Sequence, residues 1–204
     1  QILSAGSPTN GTVADLCSAP GGKTAQLAAA GATVWAVDRS DARRERLRAN
    51  MLRLGLSEMV RAVAADAVDW TPPEPVDGGL IDAPCTATGT LRRHPDVAWT
   101  KRPKDAADLA PIQDALIDAG LRVARPGALL VYAVCSLLPQ EGEDRIAAAY
   151  ARLPQLKPEP IAPERFGLPT ACGAAHGALR ILPHHWADQG GIDGFYVAAA
   201  RLPA

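Results

Sequence analysis

The stretch that most constrains this chain runs from Val13 to Ala30. An apolar run, Val13-Ala14-Asp15-Leu16, enters Cys17-Ser18-Ala19-Pro20-Gly21-Gly22-Lys23-Thr24 and leaves as Ala25-Gln26-Leu27-Ala28-Ala29-Ala30. The pattern predicts a strand, a glycine turn and a helix, because Ala and Leu favour helix and Pro-Gly-Gly ends an extended run. Adjacent glycines let backbone N–H groups approach a ligand where a Cβ would collide, and the helix N-terminus behind them favours a carboxylate or phosphate. The turn therefore reads as a ligand cradle, with Asp15 placed to accept hydrogen bonds from a ligand ammonium or from loop amides. It matches neither the Walker A spacing nor the spaced dinucleotide glycines.

At 204 residues the chain is expected to form one domain with a substantial core. A formal net charge of -1 gives no global basic signature, so contact with nucleic acid would need a local patch. No apolar run is long enough to span a bilayer and no signal-peptide pattern opens the chain, so a cytoplasmic protein with no membrane partner is expected. Cys17, Cys85, Cys135 and Cys172 form no C-x-x-C pair, which argues against a metal site and against a disulfide scaffold.

In chain order, Gln1 to Thr12 is small and polar. Thr33 to Asp38 reads as a second buried strand, after a Gly31 cap. Asp38 lies where doubly wound folds hold ribose hydroxyls, or it caps the next helix, expected from Ser40 to Leu54 with Leu47, Met51 and Leu54 on its buried face. A third strand, Val60 to Ala64, delivers Asp66 to the same edge, and Gly79-Leu80-Ile81 runs into Asp82-Ala83-Pro84-Cys85. The segment Thr90 to Lys104 gathers Arg92, Arg93, His94, Lys101, Arg102 and Lys104 around Trp99. A helix from about Ala106 to Val123 follows, broken or kinked at Pro111, and then a Pro126-Gly127 turn. Ala128 to Val134 is a buried strand ending at Cys135-Ser136, and Gln140 to Arg152 a helix with acids in its first turn. Ile181-Leu182 and Phe195 to Ala199 read as closing strands, while Cys172 reads as structural and His176, His184 and His185 as surface or turn residues. The alternation argues α/β, a mainly parallel doubly wound sheet with an antiparallel closing strand. Its carboxyl edge collects Asp15, Asp38, Asp66, Asp82, Cys85 and Cys135.

Two cysteines after apolar strands, beside four acids, suggest nucleophilic chemistry, since a thiolate near a helix N-terminus or a basic segment can be activated. Asp15 to Thr24, Asp82 to Gly89 with Arg92-Arg93-His94-Pro95-Asp96, and Tyr132-Ala133-Val134-Cys135-Ser136 together resemble the Sun/Fmu-type RNA cytosine-5 methyltransferases, closest to the bacterial ribosomal RNA members. The resemblance spans nearly the whole chain. It implies a Rossmann-like class I methyltransferase domain over residues 1–204 that uses S-adenosylmethionine and acts on RNA. It implies Cys135 as the nucleophile toward cytosine carbon 6, Cys85 as the group that helps release the product, Asp82 on the base edge and Lys23 facing the substrate. The cofactor contacts it implies are Cys17, Ser18, Ala19, Pro20, Gly21, Gly22, Lys23, Asp38, Arg43, Asp66 and Asp82, with no metal. Bacterial family members carry an additional N-terminal RNA-binding part, so the chain is expected to be a fragment; a monomer is favoured, and Arg92, Arg93, His94, Trp99, Lys101 and Arg102 read either as contacts to RNA or as a solvated basic loop. Two alternatives stay open. Pro84-Cys85 also resembles the nucleophile dipeptide of DNA cytosine-5 methyltransferases, which would make Cys85 the nucleophile, although Cys135-Ser136 has no place in that pattern. The chain could also be a non-catalytic RNA-binding or assembly module built on a methyltransferase fold.

Overall fold

A computed structural model describes residues 1–7 and 10–204. In chain order its helices and strands are α1 (Ile2–Gly6), β1 (Thr12–Leu16), α2 (Gly22–Ala29), β2 (Thr33–Asp38), α3 (Asp41–Arg53), β3 (Val60–Ala64), β4 (Val76–Asp82), α4 (Val97–Thr100), α5 (Pro103–Val123), β5 (Ala124–Val134), α6 (Glu143–Arg152), β6 (Lys157–Pro158), β7 (Leu179–Ile181) and β8 (Phe195–Arg201). The chain divides into two compact units. The first comprises Gln1–Asp82, Ala115–Val131 and Arg201–Ala204, the second Ala83–Asp114 and Tyr132–Ala200.

In the first unit the strands lie in the order β3-β2-β1-β4-β5. β1 runs parallel to β2, with Leu16 opposite Val37, and to β4, with Leu16 opposite Ile81. β2 runs parallel to β3, with Asp38 opposite Ala64. This register brings the carboxyl ends of β1, β2, β3 and β4 to one edge, where parallel sheets present ligands. Val13, Ala14, Leu16, Val34, Ala36 and Val37 are buried, as strands covered on both faces must be. Leu47 and Met51 of α3 pack on Ala19 and Ala36, and burying two such side chains contributes roughly 1.5–3 kcal/mol each. The α5 backbone packs close on β4, since a Cβ at Gly120 would stand 2.8 Å from Ile81 Cδ1.

In the second unit the last residues of β5 lie beside β8, β8 beside β6, and β7 pairs antiparallel with β8, Ile181 opposite Phe195. Tyr132 to Val134, Ile146, Ala149, Leu179, Tyr196 and Ala198 are buried there.

Several expectations are corrected. The N-terminal segment contains a five-residue helix, α1, with Leu3 buried; its Pro8 and Thr9 lie outside the described residues. On α3 it is Arg44, paired with Asp41, that is buried beside Leu47 and Met51, whereas Leu54 is exposed, because the helix ends at Arg53 and Leu54 is already its cap. α5 starts at Pro103 and continues through Pro111, giving up the one backbone bond that a proline cannot donate. Pro126-Gly127 belongs to β5 instead of preceding it: Gly127 N–H donates to the Pro203 carbonyl at 3.0 Å, and Leu202 N–H to that of Ala128 at 3.1 Å, so the chain's end extends the ladder. α6 begins at Glu143 because Gly142, at φ -112° and ψ -92°, interrupts the turn that contains Glu141.

Candidate active site

In the first unit β1 delivers Asp15 and Cys17 to the sheet edge. Cys17 adopts φ +86°, and the N–H groups of Cys17 and Ser18 both donate to the Val37 carbonyl at 3.0 Å, which curls the chain back over β2. The Ala19–Pro20 peptide is cis. Gly21 takes φ +100°, a conformation that favours glycine, and a Cβ there would stand 3.0 Å from Leu47 Cγ. Gly22 differs, because a Cβ built on it meets nothing within 4 Å. The turn is thus packed on its α3 side and open at the head of α2.

Asp38 holds this turn. Its Oδ2 accepts from Ala19 N–H at 3.2 Å and stands 3.5 Å from Arg43 Nη2, while its Oδ1 accepts from Ser40 N–H at 2.9 Å. The helix cap itself is Ser40, whose Oγ accepts from Arg43 N–H at 3.4 Å, so of the two readings of Asp38 the cap is filled by its neighbour. Arg43 also donates to the Ala19 carbonyl. Asp15 is fully buried; its Oδ2 accepts from Thr24 Oγ1 at 2.6 Å, and its Oδ1 has no partner. Burial, with Asp82 and Asp38 nearby, pushes the Asp15 carboxyl up to about 7 against the pull of the Thr24 hydrogen bond and Lys23. Burial and the same acids push the Cys17 thiol up to about 12, so it stays neutral. Lys23, in the first turn of α2, donates to Asp82 Oδ2 at 2.7 Å, which offsets the cost of a cation at a helix N-terminus. Asp66 is exposed; its Oδ1 accepts from Val68 N–H at 3.0 Å.

In the second unit the sulfurs of Cys85 and Cys135 stand 3.5 Å apart. The hydrogen bond to Cys135 and burial drive the Cys85 thiol far upward, so Cys85 keeps its proton. The loops carrying the two cysteines are tied together by a buried polar network centred on Glu141. The Glu141 carboxylate accepts from Thr86 N–H at 2.9 Å, from Thr86 Oγ1 at 2.5 Å and from Gln113 Nε2 at 3.1 Å. Gln113 Nε2 also donates to the Pro84 carbonyl at 3.0 Å, and Tyr132 O–H to the Glu141 carbonyl at 2.7 Å. Ser136 Oγ lies 3.3 Å from the hydroxyls of both Thr86 and Thr88. Gly89 N–H donates to the Cys135 carbonyl at 2.9 Å, and Gly194 N–H to that of Gly89 at 2.7 Å. That approach leaves no room for a side chain, since a Cβ on Gly89 would fall 2.0 Å from the Gly194 oxygen.

Sequence reasoning missed Glu141 and Gln113 as parts of this network. In sequence Glu141 reads as a first-turn acid, and the signal that sets it apart is the Pro139 ahead of it and the Gly142 behind, which isolate it from the helix. Within the basic segment, Arg92 and Arg93 are both engaged by Asp193, at 3.5 and 2.5 Å, while Trp99 is 90% exposed. His185 lies in a turn, as one of its two readings has it, and is buried there: its Nδ1 accepts from Leu182 N–H at 3.1 Å and lies 3.0 Å from Cys172 Sγ. Among the described residues no group of three or more His, Cys, Asp and Glu could hold a metal ion, and no helix is long and apolar enough to cross a membrane.

Comparison with known proteins gives one consistent assignment. Ribosomal RNA small subunit methyltransferase B of Yersinia pseudotuberculosis is 44% identical over 152 residues, 72% of this chain and 35% of that protein. The chain therefore spans about a third of the length of such curated relatives. A crystal structure of NSun6 from Pyrococcus horikoshii with SFG aligns at a TM-score of 0.79 and 28% identity, over 97% of this chain and 49% of that one. A SAM-dependent O-methyltransferase from Thermotoga maritima, 16% identical, shares the fold at a TM-score of 0.61, over all of this chain and 62% of its own. The family model for the 16S rRNA methyltransferase RsmB/F matches residues 5–201, and the chain belongs to that family.

Proposed function

We propose that residues 1–204 are the catalytic domain of an S-adenosylmethionine-dependent methyltransferase acting on carbon 5 of a cytosine in RNA, with ribosomal RNA as the substrate. The single observation that carries this reading is the 3.5 Å between the Cys85 and Cys135 sulfurs, in a chain of this family. The cradle suits the cofactor. Asp15 presents a buried oxygen without a partner, Gly22 leaves open space at the helix head, and the acids Asp15, Asp38 and Asp82 favour a cationic ligand. The holding residues would be Cys17 to Lys23 on the turn, with Asp38, Arg43, Asp66 and Asp82. When bound, S-adenosylmethionine supplies an activated methyl group on a sulfonium.

The protein's own part is covalent catalysis. Cys135 adds its sulfur to cytosine carbon 6, and the electron pair displaced from the carbon 5–carbon 6 bond makes carbon 5 nucleophilic. Asp82, supported by Lys23, holds the base edge where charge develops. Once carbon 5 carries its methyl group and has lost its proton, the double bond reforms and the carbon–sulfur bond breaks, a release that Cys85 assists. The 3.5 Å between the two sulfurs supports this division of labour, because it puts one thiol within hydrogen-bond reach of the sulfur that attacks and later leaves. The enzyme acts as a monomer in the cytoplasm, without a metal.

The test is adduct trapping on RNA containing 5-fluorocytosine, where the carbon 5 substituent cannot leave. The wild type traps RNA covalently, Cys135→Ala does not, and Cys85→Ala accumulates bound RNA even on ordinary cytosine. If Cys135→Ala still methylates while Cys85→Ala forms no adduct, Cys85 is the nucleophile. Cofactor binding with neither methyl transfer nor adduct in the wild type would leave a non-catalytic RNA-binding module.

A further inference from the structure

The second unit contains an open cavity of about 760 Å³, within the size range of small-molecule sites. Its walls and its rim differ in chemistry. Ala106, Ala107 and Ala110, on one face of α5, supply a smooth aliphatic wall of the kind against which a flat ring packs. Thr86 and Thr88 line another side, the Thr86 hydroxyl committed to Glu141 and that of Thr88 at the half-buried margin of the same network. Each is tied to the cysteine pair, because Thr86 follows Cys85 in the chain and both hydroxyls lie 3.3 Å from that of Ser136, which follows Cys135. At the rim stand Lys101 and Arg102. Of the basic segment's cations, Arg92 and Arg93 are engaged by Asp193, whereas among the described residues the Lys101 and Arg102 side chains have no ion-pair or hydrogen-bond partner. Trp99, two residues before Lys101, is the most exposed of the large apolar side chains.

An aliphatic wall, a threonine-bearing side and uncommitted cations at the mouth match a nucleotide, whose base is flat and apolar on its faces, polar on its edge, and attached to a phosphate. A protein segment without acidic residues over the same cavity would leave Lys101 and Arg102 without counter-charge, whereas every nucleotide brings its own. An enzyme that takes one base out of a strand also leaves that base's neighbour without a stacking partner. We propose that this cavity is the subsite for the nucleotide adjoining the target cytosine, with Lys101 and Arg102 on its phosphate. The assignment rests on the function proposed above.

The test uses the intact protein with two changes away from the catalytic residues. Ala107→Trp fills the cavity from an exposed position, and Lys101→Ala with Arg102→Ala removes the rim charges. With unmodified small-subunit ribosomal RNA, Ala107→Trp should raise KM for RNA about tenfold, the scale of one base-stacking interaction, with kcat within about twofold. For a short fluorescein-labelled single-stranded RNA of random sequence, the double alanine variant should flatten the plot of log Kd against log salt by about 0.7, the share of the one phosphate no longer neutralised. Photocrosslinks from 4-thiouridine in that RNA should map to residues 101–110. An unchanged KM in Ala107→Trp together with crosslinks elsewhere overturns the subsite while leaving the methyltransferase reading intact. Loss of thermal stability in Ala107→Trp with RNA binding unaltered also overturns it, assigning the cavity to a covering protein segment. Should the wild type fail to methylate, the random RNA and the crosslinks still report on the cavity.

Discussion

Replacing Asp15 with asparagine isolates the charge that the cradle holds in reserve. Asp15 is fully buried and its carboxyl is raised from the ordinary 3.8 to about 7, with burial as the leading cause. A rise of that size, at roughly 1.36 kcal/mol for each pH unit, makes ionisation of this group about 4 kcal/mol more costly in the folded chain than in the unfolded one. The sign follows from proton counting. Between about pH 4 and pH 7 the folded state holds a proton that the unfolded state has released, so stability from this group falls as pH rises through that window. A bound cation beside the unpartnered Oδ1 reverses the preference, because it favours the ionised carboxylate. Cofactor binding should then expel a proton, and affinity should follow the ionised fraction, about 9% at pH 6 and about 91% at pH 8 for a group titrating near 7. Kd for S-adenosylmethionine should accordingly fall about tenfold from pH 6 to pH 8. Isothermal calorimetry in buffers of different ionisation enthalpy reads both the affinity and the proton released. Asp15→Asn should show neither, and comparison with it cancels titration of the ligand's own amine. Identical pH profiles for the two proteins would refute the reasoning.

Two further perturbations test the local geometry. Gly22→Ala should leave the melting temperature unchanged, since its Cβ meets nothing within 4 Å, while weakening cofactor binding by intruding on the cradle; Gly21→Ala, forced into φ +100° against Leu47, should lose about 1–2 kcal/mol in urea denaturation. Glu141→Ala should cost about 3 kcal/mol by the same assay, because Thr86 N–H and Gln113 Nε2 are left buried with fewer acceptors, and adduct formation by Cys135 should fall with it.

The parallel half of the fold was legible because its signals are local. β2 and β3 match the expected Thr33 to Asp38 and Val60 to Ala64 residue for residue, since both are short valine-bearing runs closed by polar residues, β2 largely buried and β3 half-exposed at the sheet's edge. The glycine turn was legible for the same reason, as backbone geometry written in consecutive residues. Where the reading failed, the deciding partner lay far along the chain. Pro126-Gly127 looks like a turn until Pro203 accepts from Gly127 and Leu202 donates to the adjoining Ala128. Asp193 looks like part of a turn until it claims Arg92 and Arg93, which changes which cations remain available. Glu141 looks like a helix-dipole acid, yet its carboxylate is committed to Thr86, 55 residues away, and to Gln113, 28 residues away. No periodicity reports such pairings, and in this chain they hold the two cysteine loops together.

The paired sulfurs carry a consequence for survival in an oxidising cell. An oxidant that converts either thiol to a sulfenic acid leaves a second thiol 3.5 Å away, ready to condense with it and expel water as a disulfide forms. Such a bond would halt the proposed reaction but can be undone by cellular thiols, whereas a sulfenic acid with no thiol beside it is open to further oxidation to sulfinic acid. The geometry proposed to serve methyl transfer would thus also guard the protein against irreversible damage.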